Sequence, residues 1–295
     1  MSTLRYHVVD VFTDVRFGGN PLAVVLDGDE LSTDQMHSLA REFHLSETAF
    51  PLRASDAERK GGADYRLRIF TPEVELPFAG HPSVGTAWLL ARLSRVCSGR
   101  VVQACGAGLL PLQVAPDGGP VELTGGRPSL SEPVDAGPLL AAVGLAAVEL
   151  TGPPPRVAGT GIGFAVLPVA ARALARCEPD PVRLRSFGHP VSDATGVYVV
   201  AWDPATRMAR ARMFAGDVGV PEDPATGSAA LGLGVWLVGS GLLTGDGTAA
   251  YTVEQGVQMG RRSVLRCSVD AVGGTAVAVR VAGDVVPVAE GTITV

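Results

Sequence analysis

Short runs of alternating or β-branched residues recur along the whole chain. YHVVDVF (6–12), LAVVLD (22–27), YRLRIF (65–70), GLLPLQVAP (108–116) and PVELTG (120–125) form a first set. FAVLPV (164–169), GVYVVAWD (196–203), RARMF (210–214), YTVEQG (251–256), SVLRCSV (263–269) and AVAVRVAG (276–283) form a second. Alternation with a period of two, bounded by Gly, Pro or Asp, predicts strands. Helical periodicity is scarcer. Ser32 to Phe43 opens on Ser-Thr and places Met36, Leu39, Ala40 and Phe43 on one face. PLLAAVGL (138–145) is a second candidate. The Gly-, Pro- and Ser-rich stretch 116–137 predicts a crossover between two halves.

Two segments break the alternation in a different way. Residues 83–91 and 225–238 carry no charge at all. A helix that is apolar or small all round is buried on every side. Each segment follows a polar residue and a proline, His81-Pro82 and Asp223-Pro224. At an offset of 142 (81 to 223), Gly85 meets Gly227, Thr86 meets Ser228 and Ala87 meets Ala229. Upstream, RLRIF (66–70) meets RARMF (210–214) at an offset of 144. A strand and a helix start in the same order predict a duplicated architecture, each half a curved sheet around a central helix. Proline favours the first helical position, which puts His81 and Asp223 at the N-caps. A buried helix start has unpaired N–H groups and a positive dipole end, and so suits an anion such as a carboxylate.

Composition narrows the function classes. The 295 residues are 46% hydrophobic, enough for two folded domains. A net charge of −6 leaves no basic footprint for nucleic acid or an anionic membrane. The opening MSTLRYHVVDVF lacks a signal-peptide layout, and the weakly polar run 229–243 is glycine-broken and short of the roughly 20 residues of a membrane span. The expectation is a cytoplasmic protein. Cys97, Cys105, Cys177 and Cys267 form no CxxC pair and are expected to be buried, reduced thiols. His37 and His44 have no HxxxH spacing, so no metal is expected. GTGIGF (159–164) lacks the spacing of a nucleotide loop, and Ser228 in TGSA lacks a nucleophile elbow. HLSETAF (44–50) sets Glu47 among apolar neighbours, as either a surface turn residue or a general base with a raised pKa.

Four blocks carry a resemblance. VDVFTDVRFGGNPLAVV (9–25), LSETAF (45–50), RIFTPEVELPFAGHPSVGTAWLL (68–90) and GVPEDPATGSAALGLG (219–234) resemble the PhzF-like isomerase family of phenazine biosynthesis. The resemblance implies an α+β, diaminopimelate-epimerase-like fold. It has two pseudo-symmetric domains, each a curved, mostly antiparallel sheet wrapped around a central helix, with the active site in the cleft between them. The first domain would span 1–130 with a returning strand at 285–295, and the second 131–284. The family further implies a homodimer, no cofactor and a small carboxylate substrate. By the same resemblance Glu47 is the acid/base group, supported by His81 and Asp223. Gly80, Gly227 and Ser228 would hold the substrate carboxylate, with Ser46 and Asn20 as further lining. The implied reaction moves a proton between carbons of a small unsaturated carboxylate, dihydro-hydroxyanthranilate-like or another secondary-metabolite precursor such as an unsaturated proline. The related amino-acid epimerases use one cysteine at each central helix start, and these starts have none. That disfavours an epimerase acting through thiols on an amino-acid-like substrate. A non-catalytic carboxylate binder or regulator is the remaining alternative, and it would need no base.

Overall fold

In a computed structural model, the structure describes residues 3–185, 194–216 and 221–295. In chain order the first elements are β1 (Thr3–Val11), β2 (Asn20–Val25), α1 (Thr33–Phe43), β3 (Glu47–Leu52), α2 (Asp56–Lys60), β4 (Tyr65–Phe70), β5 (Glu75–Leu76) and α3 (Gly80–Arg92). They are followed by β6 (Gly99–Cys105), β7 (Gly108–Val114), β8 (Val121–Thr124), β9 (Ser129–Pro133), α4 (Ala136–Ala142), β10 (Arg156–Gly159) and β11 (Gly163–Pro168). Then come α5 (Ala171–Leu174), α6 (Pro181–Arg185), β12 (Ala194–Asp203), β13 (Met208–Phe214), β14 (Glu222–Asp223) and α7 (Gly227–Gly239). The chain closes with β15 (Gly247–Gln255), β16 (Ser263–Val272), β17 (Thr275–Gly283) and β18 (Val285–Thr294). It forms two compact units, Met1–Thr124 with Ala282–Val295, and Gly125–Val281.

In the first unit, β18 pairs with β1, β1 with β2, β2 with β3 and β3 with β4; β4 then pairs with β6, β6 with β7 and β7 with β8. The second unit repeats that order from β9 through β10, β11, β12, β13 and β15 to β16. Most pairs are antiparallel. The parallel ones, β2–β3 and β4–β6, recur as β11–β12 and β13–β15. A parallel pair needs a crossover. Helix α1 makes the first, capped by Ser32 and Gln35, with Met36, Leu39 and Ala40 packed near Phe50 and Phe70. Helices α3 and α7 make the crossovers between β4 and β6 and between β13 and β15. Both are buried through nearly their whole length, as their lack of charge predicts. Helix α3 packs on β1, β2, β3, β7 and β8, and α7 on β9, β10, β11 and β16. The fold is therefore α+β, with each unit's sheet set around one central helix.

The duplication extends to side chains. Arg68 donates to both oxygens of Glu75 at 2.7 Å, and Arg212 to both oxygens of Glu222 at 2.8 Å. Each guanidinium also lies over a ring two residues on, 5.0 Å from the Phe70 centroid and 4.8 Å from the Phe214 centroid. Glu75 sits opposite Phe70, and Glu222 opposite Phe214. From these bridges to the helices the spacing is the same in both halves. The repeat therefore matches His81 to Ser228 and Gly85 to Gly232, and Asp223 to Leu76.

This corrects the expected offset of 142 and the expected caps. The N-caps are Ala79 and Thr226, not His81 and Asp223. His81 and Pro82 are the second and third residues of α3, and Asp223 lies in β14 ahead of α7. The first four N–H groups of a helix have no intrahelical partner, so Pro82 fits within the first turn of α3, whereas Pro224 lies two residues ahead of the Thr226 cap and outside α7.

Gly85 and Gly232 occupy the same helical position but meet different neighbours. A Cβ at Gly85 would lie 2.7 Å from a Val11 methyl and 2.8 Å from a Leu22 methyl. At Gly232 it would lie 2.6 Å from the Ala158 carbonyl oxygen, which is fixed in β10. Small side-chain torsion shifts can move the Leu22 and Val11 methyl carbons; a hydrogen-bonded strand backbone has no such freedom. Gly232→Ala is expected to lose about 1–3 kcal/mol, whereas in Gly85→Ala the helix preference of Ala, about 1 kcal/mol, offsets much of the strain. Urea midpoints at equal m-value measure the difference, and equal costs would contradict it.

Other expectations resolve locally. Cys105, Cys177 and Cys267 are buried, but Cys97 is exposed because it follows the end of α3 in a surface turn. GTGIGF is the hairpin between antiparallel β10 and β11. Gly219 and Val220, which open the fourth resembling block, lie outside the described residues. No helix among the described residues is long and apolar enough to cross a membrane.

Candidate active site

Strands β2 and β3 run parallel with Leu22 opposite Glu47. Asn20 opens β2, Ser46 immediately precedes β3, and Glu47 is its first residue. The start of α3 brings Gly80 and His81 to the same end. Five candidates from distant parts of the first unit thereby meet. Ser46 Oγ donates to Asn20 Oδ1 at 3.1 Å, and Asn20 Nδ2 lies 3.1 Å from His81 Nδ1. His81 Nε2 lies 3.5 Å from Glu47 Oε2, with side-chain exposures of 4% and 15%. Glu47 is thus mostly enclosed and not a surface turn residue.

Burial alone pushes the His81 pKa down to about 3. The ring is therefore neutral near pH 7, and its approach to Glu47 is a contact between a neutral imidazole and a carboxyl group rather than a salt bridge. The shift has a stability consequence. The unfolded chain protonates His81 near 6.5, the folded protein only near 3. Between those values the unfolded state binds more protons, so stability falls as pH falls, by about 1.4 kcal/mol per pH unit for this one group. His81→Asn is expected to flatten the acid limb of the stability–pH curve by one proton between pH 6 and 4. Urea titrations across that range measure the slope, and parallel curves for the two proteins would refute the assignment.

The other three candidates belong to the second unit. Asp223 is 9% exposed. Thr226 Oγ1 donates to its Oδ2 at 2.6 Å, and Gln255 Nε2 donates to its backbone carbonyl at 2.7 Å and to Thr226 Oγ1 at 3.0 Å. Gln255 Oε1 in turn accepts from the Tyr198 hydroxyl at 3.1 Å and from the Thr226 N–H at 3.3 Å. Gly227 is the buried first residue of α7, and half-buried Ser228 the second. Because Thr226 spends its hydroxyl on Asp223, it makes no side-chain cap, and Ala79 has none to give to α3. Both helix starts thus keep first-turn N–H groups free of a bond from their own N-cap side chain.

Tyr198, Thr226 and Gln255 escaped sequence reasoning. One signal was present for Gln255: the alternation of YTVEQ places it on the buried face with Tyr251 and Val253. His37 and His44 do not pair. His37 lies against Phe70 at 5.8 Å between ring centroids, and His44 is the left-handed C-cap of α1.

Residues 9–291 match the family described as phenazine biosynthesis-like protein. The chain is 35% identical to an uncharacterized isomerase of Mesorhizobium japonicum, with 99% of each chain covered. It is 33% identical to the trans-2,3-dihydro-3-hydroxyanthranilate isomerase of Pseudomonas aeruginosa, covering 97% of this chain and 98% of that one. The structure is similar to the crystal structure of a Bacillus anthracis phenazine biosynthesis protein of the PhzF family. The TM-score is 0.86 at 25% identity, and both chains are covered completely.

Proposed function

The chain belongs to the phenazine biosynthesis-like (PhzF) family and is an isomerase, and from that premise we propose that it moves a proton between carbons of a small unsaturated carboxylate, with Glu47 as the shuttle. One observation carries the proposal: an enclosed Glu47 carboxyl 3.5 Å from a buried, neutral His81. Glu47 as carboxylate removes a proton from an sp³ carbon beside the conjugated system. The electron pair shifts through the double bonds, and protonated Glu47 returns the same proton at another carbon. Nothing is gained or lost, so no co-reactant is required. Enclosure limits exchange of the carried proton with water.

The duplication favours this one-base scheme over epimerisation by two bases. Glu47 precedes Thr48, which pairs with Phe70, and Gly196 precedes Val197, which pairs with Phe214. The counterpart of Glu47 in the second half is therefore Gly196, which has no side chain. The counterpart of His81 is Ser228, and no thiol stands at either helix start. Within the second half, Gly227 and Ser228 open α7 and Asp223 is held just ahead of them by Thr226, an arrangement that, in this proposal, suits a carboxylate.

The relative in Pseudomonas aeruginosa supplies the first substrate to test, trans-2,3-dihydro-3-hydroxyanthranilate. Incubation in D₂O with this compound and with unsaturated proline-like carboxylates, followed by NMR, reads C–H exchange directly. Exchange or rearrangement supports the proposal. Saturable binding of these carboxylates without exchange at carbon would favour a binder and overturn it.

A further inference from the structure

The proposed proton shuttle stands 3.5 Å from the last ring of a hydrogen-bond chain that the reaction itself does not use. Ser46 Oγ donates to Asn20 Oδ1 at 3.1 Å. With its oxygen so engaged, the Asn20 amide turns its NH₂ group to His81, Nδ2 to Nδ1 at 3.1 Å. An amide NH₂ only donates, so Nδ1 must accept, and a neutral ring then carries its proton on Nε2. His81 Nε2 is buried and has no hydrogen-bond partner among the described residues. The Glu47 carboxyl is 3.5 Å from it. An N–H there attracts a carboxylate, whereas a bare nitrogen lone pair would repel one. Asn20 is itself fully buried and paired with Val11 in the β1–β2 ladder, which fixes its backbone.

We infer that Ser46 and Asn20 are positioning residues that hold His81 as the Nε2–H tautomer, presenting a hydrogen-bond donor to Glu47 and to any substrate oxygen bound beside it. This moves both residues from lining the substrate to orienting the imidazole, and it makes His81 a donor and not a base. Its effect on turnover rests on the proton-shift reading; the tautomer itself does not.

The test needs no substrate. Protein labelled with ¹⁵N-histidine is studied by long-range ¹H–¹⁵N correlation at pH 7, with His81 identified by its loss in His81→Asn. In the wild type, Nδ1 is expected to show the shift of a bare nitrogen and Nε2 that of a protonated one. Asn20→Asp replaces the donor by an acceptor of the same shape and is expected to move the proton to Nδ1. Should that variant fail to fold, Ser46→Ala frees the amide to rotate and is expected to give both tautomers. A wild type with its proton on Nδ1 overturns the inference. So does an Asn20→Asp protein, or failing that a Ser46→Ala protein, that keeps the proton solely on Nε2. Wild-type Nε2–H together with no C–H exchange on the carboxylates above would support the relay while overturning the proposed reaction.

Discussion

Glu47→Gln is expected to lower turnover by about 10²–10⁴-fold, the usual share of a positioned acid/base group, while the fold persists. Glutamine keeps the shape of the side chain and can still face the His81 N–H through its carbonyl oxygen. What it cannot do is accept a proton from carbon and give it back. The loss should therefore fall on kcat more than on KM, because the substrate carboxylate is assigned to other groups. Circular dichroism and a urea midpoint near that of the wild type would show that the loss is chemical. The C–H exchange assay in D₂O is the more direct readout, since it detects proton removal even when the return step is slow. Near-normal exchange in Glu47→Gln would exclude Glu47 as the base and, with it, the one-base scheme.

The same experiment distinguishes Glu47 from the groups around it. His81→Asn removes a donor but leaves the carboxyl, so it should slow the reaction by less than Glu47→Gln. Loss of one hydrogen bond to a developing charge is worth about 10²–10³-fold at most. Were the order reversed, His81 would be the proton carrier and its depressed pKa, about 3, would have to rise on substrate binding.

Much of this arrangement is legible in the sequence, and the parts that are not have physical reasons. Strands with one polar face, such as YRLRIF and YTVEQG, announce themselves by alternation. Strand β3 does not: Thr48, Ala49, Phe50 and Pro51 are buried in succession, so no period of two survives, and a proline sits within it. The central helices were visible as charge-free segments because burial on all sides leaves no place for a charge. Their register was not. It is set by β5 and β14, two-residue strands too short to have a pattern, and the two prolines led to the wrong alignment. The returning strand at 285–295 came from the resemblance alone, since Pro287 and Gly291 interrupt any strand signal there. At the site, Asn20, Ser46, Glu47 and His81 are up to 61 residues apart. Only the parallel β2–β3 pair and the start of α3 bring them together, which no local pattern records. The network of Tyr198, Thr226 and Gln255 around Asp223 is of the same kind.

Arg212→Met is expected to destabilise the protein by about 3–5 kcal/mol, against about 1 kcal/mol or less for Arg68→Met. The two arginines make the same bidentate clasp in the two halves, and burial separates them. The Arg212 and Glu222 side chains are 9% and 17% exposed, those of Arg68 and Glu75 19% and 39%. Arg212 also donates to the carbonyls of Leu174 at 2.8 Å and Cys177 at 3.2 Å. Methionine fills similar volume but strands an enclosed carboxylate and deprives two carbonyls of a donor. Beyond Glu75, Arg68 donates only to exposed Thr33 Oγ1 at 3.0 Å and to the weak acceptor Met36 Sδ at 3.5 Å among the described residues. Urea unfolding at pH 7 compares the two variants, and equal losses would defeat the argument from burial. The double variant Arg212→Met/Glu222→Leu should recover a large part of the loss, because no unpaired charge then stays buried. Recovery of stability need not restore activity. Glu222 pins β14 to β13, and its neighbour Asp223 stands four residues ahead of α7. A stable double variant whose C–H exchange remains slow would show that the clasp serves to place Asp223 as well as to hold the sheet.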